Sequence, residues 1–568
     1  MGFQLSPGVT WSEIDLTTVV PSLSTTAGGF AGDFDWGPVN EIFTVSNEIE
    51  LVKWFGKPSQ NTFTSFYTAA NFLAYAQNLQ VVRSVDVTKA KNSTSGSLNV
   101  LIQNENLYEI EYKDLSGAAN TGMFAARYPG DLGNGLKVSL FASQNATSYA
   151  SWSYFADFNG VPGTSSWTSS RGGANDEMHI IVVDTLGKFS PTPNTVLEKF
   201  PYVSKAVDAK NDDGSSNYYV NVINDRSQFV YIMHHAQMAN GHTDTATWGS
   251  LAENTVFAQG NVSYTSTLSG GAVGTPTDGD LIQSYDLFNN IDNVDVSLLM
   301  TGASSNTVSE YVIDNIAEVR KDLVVFVSPA YNDVVNNMGS EAVRAILTRN
   351  EYNPSSYAVM DSGWKKQFDK YNNVYRWIPL NGDIAGLCAS TDLVRDPWWS
   401  PAGLNRGLVK NVTQLAWSPN HTERDNLYKN AINPVVNMKG LGTVLYGDKT
   451  MTDKPSAFDR INVRRLFIYL ERAISFAAKY SLFEFNDEFT RAQFIALVEP
   501  TLRTVKGRRG IFDYQIVCDT TNNTPDVIDH NQFVGDIYIK PARAINFIQL
   551  NFVAVRTGVA FSEITGKF

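Results

Sequence analysis

The fold class is decided by the stretch 294-VDVSLLMTGASSNTVSEYVIDNIAEVRKDLVVFV-327. Its two ends, Val294–Met300 and Leu323–Val327, are short apolar runs typical of buried strands. Thr307–Arg320 between them has the apolar spacing of an amphipathic helix. A strand, a helix and a second strand in this order form the unit from which parallel sheets are built. The sequence therefore predicts an α/β layer in this part of the chain.

A second α/β unit is predicted near the amino terminus, in residues 21–90. Ser46 is a good helix N-cap, and the pattern predicts helices over Glu48–Phe55 and Thr62–Ala76. Leu79–Arg83 follows as a strand, which gives the order β-β-α-α-β. We therefore expect residues 21–90 and 294–420 to form one α/β core, within an α/β (α+β) multidomain protein.

Residues 91–293 differ in composition, because Gly, Ser, Thr and Asn dominate much of this region. Strands are predicted at Leu136–Phe141, Met178–Val183 and Tyr218–Val222. Such polar, turn-rich sequence favours a β-rich domain that faces solvent. We interpret it as an outer domain inserted into the α/β core, although a separate domain in series agrees with the sequence equally well.

The carboxyl-terminal region, residues 421–545, is predicted to form a further domain. It is strongly helical over 455–510 and then returns to strands at Phe512–Cys518 and Phe533–Ile539. Both ends of the chain, residues 1–20 and 546–568, alternate apolar and polar residues like strands that extend from the body. A terminal strand can join the sheet of its own chain or that of a neighbour, and the pattern does not distinguish the two.

Composition and charge exclude several classes of function. The chain has 568 residues with 44 Lys and Arg against 57 Asp and Glu, a net charge of −13, so wrapping nucleic acid is not its main role. Two cysteines, Cys388 and Cys518, do not make a disulfide framework or a zinc knuckle. No apolar run is long enough to span a bilayer and no signal peptide is evident, which predicts a protein made in a cytoplasm.

Motifs that carry catalysis are not found in the sequence. It contains no phosphate-binding loop, no dinucleotide-binding glycine pattern, no nucleophile elbow and no zinc-binding helix. His234 and His235 are adjacent, so their side chains diverge on any regular element and do not share a metal. We therefore predict that the protein is not an enzyme, with no catalytic, metal-binding or cofactor-binding residues and no cofactor.

A basic segment stands out against this acidic background. Residues 460–509 hold ten basic and five acidic side chains, and a helix is predicted over Ala457–Leu482 with one apolar stripe. At 100° per residue, Arg465, Arg472 and Lys479 fall on the opposite face. Most such stripes are solvated helix faces, whereas the functional interpretation is a docking surface for an acidic partner.

Several motifs, in order along nearly the whole chain, make the sequence similar to the contractile-tail sheath proteins. The resemblance is greatest to the sheaths of T-even-type myoviruses, in a family shared with R-type bacteriocins and type VI secretion sheaths. It is densest in the carboxyl-terminal half. The motifs are Leu5–Val9, Phe34–Pro38, Glu50–Val52, Phe55–Pro58, Tyr128–Gly133, Tyr371–Trp377, Asp383–Cys388, Trp399–Gly403, Leu445–Thr450, Phe458–Phe467 and Cys518–Pro525.

The resemblance implies a structural machine. Subunits of this family form six-fold rings, stacked helically around a tail tube, and contract to drive the tube through the host envelope during genome delivery. The implied partners are other copies of the chain, the tail tube protein, and baseplate and tail terminator proteins, with no direct nucleic-acid contact and no membrane insertion. The implied location is the tail sheath of a virion that is assembled in the host cytoplasm.

The resemblance also implies roles for particular residues. Terminal arms of this family link neighbouring subunits by completing a sheet in the carboxyl-terminal domain of another copy, and a helix of that domain touches the tube. The implied strand residues of the linking arms are Val9, Trp11, Ile14, Ile548, Leu550 and Phe552. The basic residues proposed by analogy to face the tube are Arg465, Arg472, Lys479, Lys506, Arg508 and Arg509.

The sequence departs from the T-even-type pattern between Lys91 and Tyr128. This chain has only a short stretch there, where those sheaths carry a larger outer domain, so we expect the outermost domain to be truncated or absent. The sequence also permits two alternatives to a sheath protein. One is a tail-associated adhesin that binds through residues 91–293, and the other is a glycan-degrading enzyme with a carboxylate acid and base.

Overall fold

The structure is a computed structural model, and it describes residues 26–114, 120–235, 247–260 and 263–546. The predicted linking-arm residues, Val9, Trp11 and Ile14 at one end and Ile548, Leu550 and Phe552 at the other, therefore lie outside the described residues.

The strands of the described residues are numbered here in chain order. They are β1 (Gly28–Gly32), β2 (Ile42–Val45), β3 (Leu79–Arg83), β4 (Phe124–Ala126), β5 (Leu136–Phe141), β6 (Glu177–Asp184), β7 (Thr195–Ser204), β8 (Val230–Ile232), β9 (Tyr264–Thr267), β10 (Leu298–Met300), β11 (Val324–Val327), β12 (Ala358–Asp361), β13 (Trp364–Asp369), β14 (Val374–Pro379), β15 (Gln414–Leu415), β16 (Ile432–Asn433), β17 (Val435–Met438), β18 (Gly442–Leu445), β19 (Ile511–Val517) and β20 (Asp536–Pro541).

The α-helices are numbered in the same way. They are α1 (Glu48–Phe55), α2 (Phe63–Leu73), α3 (Glu105–Glu111), α4 (Ala146–Ala150), α5 (Ser166–Ser169), α6 (Tyr219–Arg226), α7 (Asp278–Asp286), α8 (Asn306–Tyr311), α9 (Glu318–Arg320), α10 (Tyr331–Val334), α11 (Glu341–Glu351), α12 (Asn381–Val394), α13 (His421–Lys429), α14 (Ile461–Ala478), α15 (Glu488–Gly507) and α16 (Pro525–Asp529). A π-helical segment, Val312–Ala317, joins α8 to α9.

A seven-stranded sheet with the order β16-β12-β11-β10-β1-β3-β2 forms the centre of the α/β core. Its neighbours pair in parallel, except that β2 runs antiparallel to β3 at one edge. β1 lies directly beside β10, with Gly28 opposite Leu298. The core is therefore built from both halves of the chain, which confirms the predicted α/β fold and places the β-rich region as an insertion.

Helices cover both faces of this sheet. A Cβ atom on Gly28 would meet the ring of Phe72 in α2, whereas one on the next residue, Gly29, would meet Leu299 and Phe288. Successive strand residues point to opposite faces, so α2 packs on one face and the segment after α7 packs on the other. Such double coverage is typical of parallel sheets, whose strands are buried on both sides.

α12 packs on α2 unusually closely because two glycines lie at their contact. A Cβ atom on Gly382 would lie 2.5 Å from the Thr68 carbonyl oxygen, and one on Gly386 would lie 2.5 Å from the ring of Tyr75. Any side chain at these two positions would push the helices apart. The hydroxyl of Tyr75, two residues after the end of α2, donates to Asp383 on α12 at 3.1 Å and so links the two segments.

The limits of the core differ from the predicted ones. β16 pairs in parallel with β12 at Met360 and Asp361, so the core continues beyond the predicted boundary at residue 420. Leu445 and Met451 also belong to its hydrophobic core. The sequence hid this extension because β16 is only two residues long, and such a strand leaves no pattern of period two.

The inserted region forms a four-stranded antiparallel sheet, β7-β6-β5-β9, beside the pair β4–β8. The predicted strands at Leu136–Phe141 and Met178–Val183 correspond to β5 and β6. The strand predicted at Tyr218–Val222 is wrong, because this segment begins α6. Its aromatic and β-branched residues favour strands, but Tyr219, Val222 and Ile223 are buried on one helix face, and this packing overrides propensity.

The carboxyl-terminal domain consists of the helix pair α14 and α15 and the two-stranded ribbon β19–β20. They share a separate hydrophobic cluster that includes Leu466 and Leu470 of α14, Val498 and Leu502 of α15, and Ile511 of β19. The observed elements lie within a few residues of those predicted, since α14 begins four residues later than expected and ends at Ala478.

Candidate assembly surfaces of the carboxyl-terminal domain

The amino-terminal half of α14 is a polar contact with the α/β core and not a free basic face. Arg465 is 5% exposed, donates to the Cys388 carbonyl oxygen at 3.2 Å and pairs with Asp392. The neighbouring Arg464 donates to the Tyr357 hydroxyl at 3.2 Å. The prediction that Arg465 faces the tube is therefore wrong. Helical spacing places Arg465 away from the apolar stripe of α14, but the α/β core covers that face of the helix as well.

The other two residues of the predicted basic face have different surroundings. Arg472 is partly buried and pairs with Asp295, on the segment that leads into β10. Lys479 begins the 3-10 turn Lys479–Ser481 and is exposed. α14 thus carries arginines that bind the core along most of its length, and only its last predicted basic residue is available to another molecule.

A second set of basic residues lies exposed at the end of α15. Lys506 pairs with Asp513 at 2.8 Å, and the Arg508 side chain, 59% exposed, pairs with Asp396 at 2.8 Å. The exposed Arg509 guanidinium lies 5.6 Å from the Trp399 ring. The structure thus brings Lys506, Arg508 and Arg509 together, away from Lys479, since α15 spans about 30 Å.

The ribbon β19–β20 is incompletely covered. Its residues alternate, with Tyr514 and Ile516 of β19 and Ile537 and Ile539 of β20 turned towards the helices and only half-buried there. On the other face Tyr538 is 60% exposed. A two-stranded ribbon is marginal by itself and gains stability from further strands.

Within the described residues, neither outer edge of the ribbon is paired with another strand. An open edge presents unpaired backbone donors and acceptors, which a strand from another segment can satisfy. The chain leaves β20 through Asn546, whose side chain donates to Asp448 at 3.3 Å. The predicted carboxyl-terminal arm therefore begins beside Asp448.

A polar cluster occupies the carboxyl edge of the parallel sheet, where α/β enzymes place their active sites. Lys365 and Asp383 form an ion pair of 2.8 Å with both side chains 0% exposed. Asp361 accepts hydrogen bonds from the Ser328 hydroxyl at 2.6 Å and from the Gly363 amide at 2.8 Å. Asp361 is 1% exposed, so the cluster is closed to substrates and its groups bind one another.

Asp361 makes the stability of the core depend on pH. Burial raises the pKa of Asp361 to about 8, from 3.8. Between these pKa values the folded chain holds a proton that the unfolded chain releases, so we expect this group to lower stability as pH rises from about 4 to 8. At about 1.4 kcal/mol per pKa unit, the loss reaches several kcal/mol.

The test is denaturant unfolding of Asp361→Asn and the unaltered chain at pH 5 and pH 8. The amide keeps a hydrogen-bonding group without a charge, so we expect the variant to lose much less stability between the two pH values. Asp529→Asn, at an exposed site, is the matched control. An unchanged pH dependence in Asp361→Asn would contradict this account.

An exposed aromatic segment, which the residue patterns did not identify, joins α14 to α15 and includes the start of α15. Leu482 is 63% exposed, Phe483 105%, Phe485 84% and Phe489 76%. The signal was present in the sequence, because four large apolar residues are interspersed here with Glu484, Asn486, Asp487 and Glu488. The predicted helix ended at Leu482, and no role was predicted for the residues that follow. The structure shows that no other element covers them within the described residues.

Among the described residues, no group of three or more His, Cys, Asp or Glu side chains is arranged to hold a metal ion. In the same part of the chain, no helix combines the length and apolar character needed to cross a bilayer.

Family models match three parts of the chain. The phage tail sheath C-terminal domain matches residues 453–554, the phage tail sheath protein central domain matches 274–451, and the tail sheath protein Gp18 domain III N-terminal region matches 26–83. These ranges correspond to the carboxyl-terminal domain and to the two parts of the α/β core.

Curated relatives match from end to end. The tail sheath protein of Enterobacteria phage T4 is 34% identical over 663 residues, which covers 99% of this chain and 99% of that protein. The tail sheath protein of Vibrio phage KVP40 is 33% identical over 698 residues, which covers 99% and 100%. The chain belongs to the phage tail sheath protein family. Both alignments are longer than this chain, so each relative has residues that it lacks.

A solved structure supports the fold. The sheath tail protein from Listeria innocua superposes with a TM-score of 0.51 at 11% identity, covering 92% of this chain and 96% of that one. The predicted resemblance to tail sheath proteins and the predicted α/β multidomain fold are thus confirmed.

Proposed function

We propose that this protein is the structural subunit of a contractile tail sheath. Its copies assemble as stacked six-membered rings around a tail tube, and the sheath shortens to drive the tube through the host envelope. The observation that carries the proposal is the full-length similarity to tail sheath proteins of two phages. The location that follows is the tail of a virion assembled in the host cytoplasm, with baseplate and tail terminator proteins at the two ends of the sheath.

The link between copies is proposed to be strand addition. The open edges of the β19–β20 ribbon and its half-buried apolar face support this proposal, because added strands would satisfy both. The proposed donors are the arms at residues 1–20 and 546–568. Backbone hydrogen bonds would hold each added strand in place. The linkers between each arm and the folded part of the subunit would let the folded parts rotate during contraction.

Two separate tube-facing patches are proposed, made of the basic residues that remain exposed. These are Lys479 at the end of α14 and Lys506, Arg508 and Arg509 at the end of α15. Arg465 is removed from this set by its burial, and Arg472 is engaged by Asp295. Contacts between exposed charges weaken as salt rises, so docking on a tube through these patches should be salt-sensitive.

The geometry favours a structural role over that of a glycan-degrading enzyme. The polar cluster at the sheet edge is buried, and its carboxylates are paired with Lys365 and Ser328 inside the core. A smaller outer domain than that of the relatives is also proposed, since their alignments exceed the length of this chain.

The first test is electron microscopy of the purified protein at high concentration. We expect hollow tubes with helical striations, whose subunits repeat in six-fold rings. Uniform monomers, also after tail tube protein is added over a range of salt concentrations, would contradict the proposal. Turnover of host polysaccharide by the same preparation would favour the enzyme instead.

A further inference from the structure

The distal end of the α14–α15 helix pair carries a large apolar surface, called here the aromatic tip. All of its members are large apolar side chains that solvent reaches. They are Phe476 (39% exposed), Tyr480 (57%), Leu482 (63%), Phe483 (105%), Phe485 (84%) and Phe489 (76%). Isolated apolar side chains are normal on protein surfaces, but six large ones within fourteen residues are a concentration that marks an interaction site. The rings of Phe476 and Tyr480 are in contact, with centroids 5.8 Å apart.

The size of the aromatic tip fits a protein partner. The exposed fractions together amount to about four complete side chains, and each large aromatic side chain has about 150–250 Å² of surface. The tip therefore exposes about 800 Å², which equals one side of a standard protein–protein interface of about 1,600 Å².

The backbone holds this surface outward at a cost. Phe483 has a φ of +69°, in the left-handed region that bulky residues seldom adopt, and its side chain is fully exposed. Within the described part of the chain, no packing of the Phe483 ring offsets this strain. Strain retained at an exposed aromatic residue is typical of a binding surface.

The tip is also acidic overall, since it carries three exposed acids against one exposed base, Lys479. Glu484, Asp487 and Glu488 lie between its apolar residues and are exposed. Its partner should therefore offer an apolar surface surrounded by positive charge.

The same chain has such a surface on the α/β core, beside the opposite end of the helix pair, called here the basic shoulder. Its exposed apolar members are Leu393 (61%), Val394 (69%) and Leu404 (55%). Arg395 and Arg406 lie beside them, with their guanidinium groups 5.7 Å and 5.3 Å from the ring of Trp399. The shoulder is thus apolar and positive, and so complementary to the tip. It adjoins Arg509 of the proposed tube-facing set, whose guanidinium lies 5.6 Å from the same ring.

The tip and the shoulder of one molecule cannot meet. The shoulder adjoins the start of α14, because Asn462 donates to the carbonyl oxygen of Trp398 at 3.3 Å. The tip begins at the other end of this 18-residue helix, and 18 residues span about 27 Å. Contact between the two surfaces therefore requires two molecules.

We propose that the aromatic tip of one copy docks on the basic shoulder of a second copy of this chain. The contact joins two different surfaces, so it is heterologous and repeats head to tail, which closes a ring when the rotation allows it. This inference rests on the proposed function in one respect, namely that copies of the chain assemble. It adds a contact made by folded surfaces to the one made by terminal arms.

Charge reversal tests the proposal. A tip variant, Glu484→Lys with Glu488→Lys, and a shoulder variant, Arg395→Glu with Arg406→Glu, should each raise the concentration needed for association at least tenfold in sedimentation velocity. The chain that carries all four changes should regain most of the association, since the charges are complementary again. Equal loss in the single-surface variants without recovery in the combined one would overturn the proposal.

Phe483→Gly separates docking from folding. Glycine accepts a positive φ without strain, so the variant should be at least as stable as the unaltered chain towards denaturant, yet associate more weakly. The matched control is Ile49→Ser on α1, which removes an apolar side chain that is 83% exposed and distant in sequence. Unchanged association of Phe483→Gly would overturn the proposal.

Cysteine cross-linking distinguishes failure of this contact from failure of the proposed function. Both native cysteines are buried, so a chain with Phe485→Cys and Val394→Cys has two accessible thiols. We expect oxidation to yield chains of covalently linked copies. Tubes that form without this cross-link would overturn the docking proposal alone. No association at any concentration would overturn both proposals, and capture of the tip thiol by tail tube protein instead would show that the tube is the occupant.

Discussion

Removal of residues 547–568 should leave a folded chain that no longer forms tubes. Asn546 is retained because its side chain binds Asp448, so the deletion starts where the body of the domain ends. Removal of residues 1–20 should have the same effect. Each deletion takes away one of the two segments proposed to complete the β19–β20 sheet of another copy, and that sheet then keeps an unpaired edge.

The expected outcome has two measurable parts. Thermal unfolding of both deletion variants should occur within a few degrees of the full chain, because the hydrophobic core of the carboxyl-terminal domain comes from residues before 546. Electron microscopy should show no tubes at concentrations where the full chain forms them. Adding back a synthetic peptide of residues 547–568 should protect β19 or β20 amides from hydrogen exchange. Tubes of normal length from either variant would contradict the strand-addition proposal.

Arg465→Glu should lower the stability of the folded chain, because it breaks a buried contact between α14 and the α/β core and not an exposed one. Arg465 is buried against Asp392 and against the Cys388 carbonyl oxygen. Breaking a buried ion pair by removing one partner costs about 3–5 kcal/mol, and the new carboxylate would also face Asp392. We expect a loss of stability in this range, measured as a shift of the denaturant midpoint.

Lys479→Glu is the matched control on the same helix. Lys479 is exposed, so its reversal should change stability by less than about 0.5 kcal/mol. If tube docking depends on charge at this end of the helix, Lys479→Glu should weaken that docking while the fold stays intact. Equal unfolding midpoints for Arg465→Glu and the unaltered chain would show that Arg465 does not make this buried contact with the α/β core.

The residue patterns determined the class of fold and most of its regular elements. α1 spans Glu48–Phe55 and β5 spans Leu136–Phe141, as predicted, because amphipathic spacing and short apolar runs are local properties. The motifs of the carboxyl-terminal half determined the family. The order of elements on both sides of residues 91–293 also favoured one α/β core, although the sequence alone left a separate domain in series equally open.

The tertiary structure decided which faces are covered, because burial depends on contacts between residues far apart in sequence. The pairing of β1 with β10 settled that the β-rich region is an insertion. Helical periodicity placed Arg465 opposite the apolar stripe of α14, yet the α/β core packs there and buries it. The end of the same helix leads into the exposed residues of the aromatic tip, for which periodicity predicted no role. α14 packs against the rest of the carboxyl-terminal domain on one face and against the α/β core on another. A sequence pattern with a single apolar stripe predicts only one of these two buried faces.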